Sequence, residues 1–169
     1  MSDNRTKLPL RQNCEGYFLD SKGNILAQPT DRGYVIFPGG GIESGEDPES
    51  ALIRETREET GAIVKISRSL GRIHYEWPKG WAKTEKQKRR YEQFRGDEMH
   101  FCAGTITGFA DVSMDEEDAW QGNKLIPLAD IIDFIERLRP FPSELDIYYS
   151  AQLDFLKSLL SESRGATKV

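Results

Sequence analysis

The sequence predicts a layered α/β (α+β) domain, with helices packed on the faces of a central mixed β-sheet. Three observations carry this expectation. Short β-prone runs at 14–19, 24–28 and 34–37 open the chain, a sharply delimited helix follows between Asp47 and Gly61, and further β-prone runs precede two amphipathic helical stretches.

Taken in order, residues 1–8 and 161–169 are polar and lack periodicity, so they are expected to be frayed ends around a core of about residues 11–160. Residues 14–19 and 24–28 flank Asp20-Ser-Lys-Gly23, which suits a hairpin turn. Asp47 can cap free amides and Pro48 suits a first helical turn, while Gly61 supplies the stop. Between them Leu52, Ile53, Thr56 and Thr60 are expected to face a core. Glu55, Glu58 and Glu59 fall at i, i+3 and i+4 and make the opposite side acidic. Residues 63–77 alternate well enough for one or two strands, and 99–109 make another. The stretch of about residues 79–97 between them is a polar insertion. Pro127 introduces Ile131, Ile132, Ile135 and Leu138 at helical spacing. Ser143 and Asp146 open a last helix with Leu145, Tyr149, Leu153, Leu156 and Leu160 on one face.

A length of 169 residues fits a single domain spanning the chain, 1–169. No apolar run approaches the roughly 20 residues that span a bilayer, and no apolar segment follows the N-terminal charges. The expectation is a cytoplasmic protein without a membrane partner, acting as a monomer or homodimer. Two cysteines, Cys14 and Cys102, are too few for a disulfide framework and read as buried thiols. A net charge of -5 means that any polyanion must be met locally.

The informative segment is 40–62, which reads GGIESGEDPESALIRETREETGA. Three carboxylates crowded on one helix side repel one another, and a divalent cation among them relieves that repulsion. An oxygen-only cluster suits Mg²⁺ or Mn²⁺, which can neutralise phosphate charge and acidify a water whose proton a spare carboxylate accepts. The glycines of Phe37-Pro38-Gly39-Gly40-Gly41 let the backbone approach a ligand closely. An isolated acidic stripe is otherwise a solvated face, Glu46 a solvated loop carboxylate, and Arg54 an i to i+4 partner of Glu58.

The same segment resembles the Nudix signature G-x5-E-x7-R-E-U-x-E-E-x-G-U, U being a bulky aliphatic. Gly40, Glu46, Arg54, Glu55, Glu58, Glu59 and Gly61 match all the fixed positions. At roughly one in fifteen per residue, such a match arises by chance about once in 10⁸ windows. Thr56 and Ala62 depart from the U positions, which bears on packing more than on chemistry. The resemblance, to MutT-like enzymes with no subfamily assigned, implies a Nudix α/β/α sandwich and a Mg²⁺- or Mn²⁺-dependent hydrolase. Such an enzyme cleaves a phosphoanhydride in a nucleoside diphosphate linked to another moiety. It further implies Glu58 and Glu59 as principal metal ligands with the Gly39 carbonyl, Glu55 as a further ligand or the base, and Arg54 as an orienting residue. Gly40 would approach substrate. In several branches the base comes from a later loop, and Asp115-Glu-Glu-Asp118 makes Glu116 or Glu117 a candidate.

Substrate choice is expected outside this segment. Tyr75, Trp77, Lys79 and Trp81, followed by Lys83, Lys86, Lys88, Arg89, Arg90 and Arg95, interleave aromatics with cations, as a nucleotide requires. Alternatively the insertion is a solvated arm whose tryptophans pack on the sheet. Tyr75-x-Trp77-Pro78-Lys79 is loosely similar to the Y-x-L-P-K element of Nudix enzymes acting on dinucleoside polyphosphates and RNA 5′ ends. Pro78 also lies where ADP-ribose-hydrolysing members often carry proline. Modified nucleoside triphosphates, dinucleoside polyphosphates, ADP-ribose and RNA 5′ ends all stay open as substrates. His74 and His100 read as structural or pocket-lining. The competing expectation is a catalytically silent Nudix-fold module that senses a nucleotide or binds a protein.

Overall fold

The computed structural model describes residues 4–110, 120 and 124–166. Strand β1 (Leu10–Leu19) is central. It pairs in parallel with β7 (Gly96–Phe109) on one side, and antiparallel with β5 (Gly39–Gly41) and β2 (Asn24–Leu26) on the other. β6 (Ala62–Glu76) runs antiparallel to β7, and β8 (Leu125–Pro127) antiparallel to β2, completing a mixed six-stranded sheet. Gln28–Pro29 (β3) and Val35–Ile36 (β4) form a separate two-stranded pair.

Period-two alternation along β1 decides which helix lies on which face. Cys14, Gly16 and Phe18 point toward α1 (Pro48–Thr60), where Phe18 packs with Leu52, Ala51 and Cys102. Gly16 permits this approach, since a Cβ there would lie 2.9 Å from Leu52 Cδ2. Tyr17 points the other way, into a core with Phe101 of β7, Ile131 and Ile135 of α3 (Leu128–Glu136), and Leu153 and Leu156 of α4 (Asp146–Ala166). The result is the expected sandwich of helices on both faces of a mixed sheet. Truncating the fully buried Leu52 to Ala is expected to cost about 2–5 kcal/mol.

The main helix obeys its local signals. Asp47 Oδ1 accepts from the backbone N–H of Glu49 and Ser50 at 3.1 and 3.0 Å. Gly61 takes φ 74°, where its N–H donates to Arg57 O. Leu52, Thr56 and Thr60 are buried, but Ile53 is 44% exposed and does not face the core. It lies about 100° around the helix from Leu52, outside the apolar stripe.

Several boundaries differ from the sequence expectation. The strand expected at 63–77 is the single long β6, from Ala62 to Glu76, with bulges between Ile66 and Arg68 and between Ser69 and Gly71. The insertion contains α2 (Glu85–Gln93), closed by a capping box in which Thr84 and Gln87 bond reciprocally. Within the described residues, the polar segments near both ends carry helical structure. α4 continues to Ala166, and a 3₁₀ turn at Asn4–Lys7 is docked on α2. There the Arg5 guanidinium lies 3.3 Å from the Tyr91 ring centroid and donates to the carbonyls of Tyr91 and Phe94. A polar sequence hid this contact because a cation on an aromatic face leaves no apolar pattern. Among the described residues, no helix is long and apolar enough to cross a membrane.

Candidate active site

The site is where β1, β5 and α1 meet. Pairing of Cys14 with Gly40 and of Glu15 with Gly39 lays the glycine strand beside the helix that carries the glutamates. A cleft of about 800 Å³ opens there, lined by Gly39, Gly40 and Gly41 and by Arg54, Glu55, Glu58 and Glu59. Side chains four residues apart on a helix share a face, and this one turns three carboxylates toward the glycines.

Arg54 organises the acids. Its Nε and Nη2 donate to Glu46 Oε1 and Oε2 at 3.0 and 2.9 Å, a two-pronged grip, and Nη1 donates to Glu55 Oε1 at 2.9 Å. The same Nη1 lies 3.5 Å from Glu58 Oε2, and Nη2 reaches Gly41 O at 3.3 Å. Glu46 is thereby held below the ordinary carboxylate range, chiefly by the Arg54 hydrogen bonds, and the guanidinium is raised in turn by Glu46 first and Glu55 second. Glu46, legible in the sequence as either a solvated or a functional carboxylate, is the partner that fixes Arg54.

Two contacts tie the glutamates to the glycine strand. Gly39 N–H donates to Glu59 Oε2 at 3.1 Å. Gly40 lies beneath Glu55, and a Cβ there would stand 2.5 Å from the carboxyl carbon. The glycine therefore makes room for a carboxylate, a sharper reason than loop flexibility. Cys14 donates its thiol to Gly40 O, and burial pushes that thiol up to about 12, so no thiolate nucleophile is present at neutral pH.

The cleft also carries basic residues. Arg11 of β1 and Lys86 and Arg90 of α2 line it together with the carboxylates. The insertion thus contributes Lys86 and Arg90 directly. Arg11 carried no sequence signal, because a lone arginine in a strand has no spacing to reveal it; the pairing of β1 with β5 sets its guanidinium over Gly41, where a Cβ would stand 2.9 Å from Nη2.

The other residues singled out for substrate separate into two places. Trp77 is 5% exposed, stacks on Trp81 with ring centroids 4.0 Å apart, and donates its Nε1–H to Asp97 Oδ2 at 2.8 Å. It lines a smaller pocket, about 260 Å³, that adjoins the acidic cleft through Arg11, Gly39, Gly40 and Arg90. Tyr75 and Lys79 border another cavity, with Pro78, Glu144 and Leu145, which Trp77 and Trp81 also line, and Tyr75 hydrogen-bonds Asp97. The structure does not bring Tyr75 or Lys79 to the glutamates. His74 is exposed, and His100 sits 3.0 Å from Gln12 Oε1; neither lines the acidic cleft. Glu116 and Glu117 lie outside the described residues. Cys14 and Cys102 are buried and unbridged.

Among the described residues, no three acidic, histidine or cysteine side chains converge on a point that would hold a metal. Glu55 is turned to Arg54 and Glu59 to the Gly39 amide. The donor chemistry of the cleft nonetheless fits a hard divalent cation. Its acidic wall offers carboxylate oxygens and glycine carbonyls, the set Mg²⁺ takes while keeping several waters.

Comparison with known proteins agrees with this geometry. An RNA pyrophosphohydrolase of Gluconacetobacter diazotrophicus is 31% identical over 133 residues, covering 68% of this chain and 77% of that protein. A Caenorhabditis elegans Ap4A hydrolase, solved as a binary complex, superposes with a TM-score of 0.54 at 16% identity, covering 90% of this chain and 98% of that one. An Escherichia coli dihydroneopterin triphosphate pyrophosphohydrolase gives 0.51 at 10% identity, covering 76% and 88% respectively. These two structures share the fold. The model of the NUDIX domain matches residues 15–145, so the chain belongs to the Nudix hydrolase family, whose members act on pyrophosphate bonds of nucleotide derivatives.

Proposed function

We propose that this protein is a divalent-metal-dependent pyrophosphohydrolase that cleaves a phosphoanhydride in a nucleoside 5′-polyphosphate, free or at the 5′ end of RNA. The observation that supports it best is the mixed lining of one cleft, with Glu55, Glu58 and Glu59 of α1 and Arg11, Lys86 and Arg90 of β1 and α2. An acidic wall alone binds a cation, and a basic wall alone binds an anion. A phosphate chain carrying its own divalent cation needs both. The RNA option draws support from the named activity of the relative that is 31% identical.

In this reading Glu58 and Glu59 hold the cation together with the Gly39 carbonyl, and Glu55 takes the proton of the attacking water. When bound, the cation withdraws charge from the phosphate oxygens and acidifies a water. Arg54 keeps the Glu55 carboxylate above Gly40, so that the proton acceptor is positioned before substrate arrives. Lys86 and Arg90 meet the phosphates beyond the scissile bond, where charge-assisted hydrogen bonds hold the leaving group in line.

The test is a product-resolved panel with Mg²⁺ and with EDTA: GTP, ATP, an oxidised deoxynucleoside triphosphate, diadenosine polyphosphate, ADP-ribose and 5′-triphosphorylated RNA. Phosphate or pyrophosphate release from the polyphosphates, lost in EDTA, is the expected result. Thermal stabilisation by nucleotides with no product from any of them would instead mark a silent sensor.

A further inference from the structure

Helix α2 brings Lys86 and Arg90 to the cleft, yet it buries none of its own residues. A helix of 9 residues is marginal on its own, and without an apolar stripe no core contact fixes how it sits. Its capping box and the Glu85–Lys88 pair lie within the segment itself, so they shape the helix without attaching it.

An attachment comes from the start of the described chain. The turn at Asn4–Lys7, closed by Leu8 N–H donating to Arg5 O at 2.9 Å, carries Arg5 onto the last turn of α2. There the guanidinium covers the Tyr91 ring and donates to two carbonyls, Tyr91 O and, at 3.0 Å, Phe94 O. Carbonyls at a helix C-terminus need outside donors, and a cation there also meets the favourable end of the helix dipole. Arg95 N–H donates to Pro9 O at 3.0 Å and keeps the two segments side by side. The Tyr91 ring stacks in turn on Trp81, whose indole lies 4.0 Å from that of buried Trp77. Arg5 itself does not line the cleft.

Lys86 and Arg90 stand one turn apart on one face of α2, and Lys86 lies about 12 Å of helix rise from the gripped end. A small swing about that end carries both cations off the cleft. We propose that Arg5 is a positioning residue for the hydrolysis, a clasp that fixes α2 so that Lys86 and Arg90 face the phosphate chain. This rests on the reading that the cleft holds a polyphosphate.

The experiment measures affinity of the full chain for inorganic tripolyphosphate in Mg²⁺ by titration calorimetry, and for Mn²⁺ alone by electron paramagnetic resonance. Arg5→Ala is expected to weaken tripolyphosphate binding about tenfold and to leave Mn²⁺ binding no weaker, because the glutamates are untouched. Arg5→Lys keeps the charge but cannot cover the ring and fork to two carbonyls, so it should lose at least about threefold. In a Lys86→Ala, Arg90→Ala background, Arg5→Ala should change tripolyphosphate affinity less than about twofold, since the groups it places are gone. Unchanged tripolyphosphate affinity in Arg5→Ala, full affinity in Arg5→Lys, an equal further loss in the double-variant background, or a parallel loss of Mn²⁺ affinity would overturn the clasp and spare the hydrolase. Arg5→Lys, the mildest change, decides the matter if a multiple variant fails to fold. A wild-type chain that binds Mn²⁺ but no tripolyphosphate, and releases no product from any polyphosphate, would instead overturn the reading of the cleft and the clasp with it.

Discussion

Arg54 grips Glu46 with two parallel hydrogen bonds, Nε to Oε1 at 3.0 Å and Nη2 to Oε2 at 2.9 Å, across eight residues of chain. This grip anchors the guanidinium that in turn holds Glu55, so a residue outside the helix governs a carboxylate on it. Arg54→Lys keeps the charge but cannot make the fork while also reaching Glu55. The expected outcome is a 10- to 100-fold fall in kcat with a folded protein, read from steady-state kinetics and circular dichroism. Glu46→Gln should produce a smaller fall in the same direction. Wild-type kcat in Arg54→Lys would show that Glu55 needs no such support.

Gly40→Ala tests the contact between strand and helix. The added methyl would stand 2.5 Å from the Glu55 carboxyl carbon, so that side chain must turn away. Turnover should drop at least tenfold, while the thermal midpoint shifts only modestly, because the Glu55 side chain borders the open cleft and can swing into it. A matched loss of stability and activity would instead assign Gly40 a purely structural part.

Thr56 occupies a position where the family signature places an aliphatic residue. It is fully buried, and its Oγ1 has no hydrogen-bond partner. Thr56→Val keeps the shape and removes the unpaired hydroxyl, so stability should rise by about 1 kcal/mol, or roughly 2–4 °C in Tm for a chain of this size. Calorimetry checks this, and a lower Tm would mean that the hydroxyl is satisfied.

How much was legible in the sequence follows from where each signal resides. The helix caps Asp47 and Gly61, the glutamate spacing and the glycine strand are local, so the acidic wall could be read directly. The basic residues of the cleft could not. Lys86 and Arg90 sit among many cations, and only the Thr84–Gln87 capping box marks the helix that turns those two inward. Arg11 and Asn13 reach the site through the pairing of β1 with β5 on one side and with β7 on the other, long-range contacts that no local pattern announces. Docking of Arg5 on the Tyr91 ring is likewise invisible to periodicity.

A pH dependence should come from Glu15. Its carboxylate is buried against Tyr17, Tyr148 and Gln152, and burial outweighs their hydrogen bonds to raise its pKa above the ordinary 4.5. The folded state then holds a proton that the unfolded state releases. This contribution to stability is therefore full below about pH 4.5 and falls as pH rises through the elevated folded pKa. Glu15→Gln has no such titration. The stability of the wild type minus that of Glu15→Gln should be larger at pH 4.5 than at pH 7 in urea unfolding, and a pH-independent difference would contradict this account.

The central claim, that Glu58 and Glu59 hold the divalent cation of a phosphoanhydride hydrolysis, is tested most directly by Glu58→Gln and Glu59→Gln. Each purified variant is assayed for Mg²⁺-dependent product release from GTP and 5′-triphosphorylated RNA, and for Mn²⁺ affinity by electron paramagnetic resonance. The account predicts folded proteins with Mn²⁺ affinity weakened at least tenfold and kcat lowered by two or more orders of magnitude. Full turnover with unchanged Mn²⁺ affinity in either variant would contradict it.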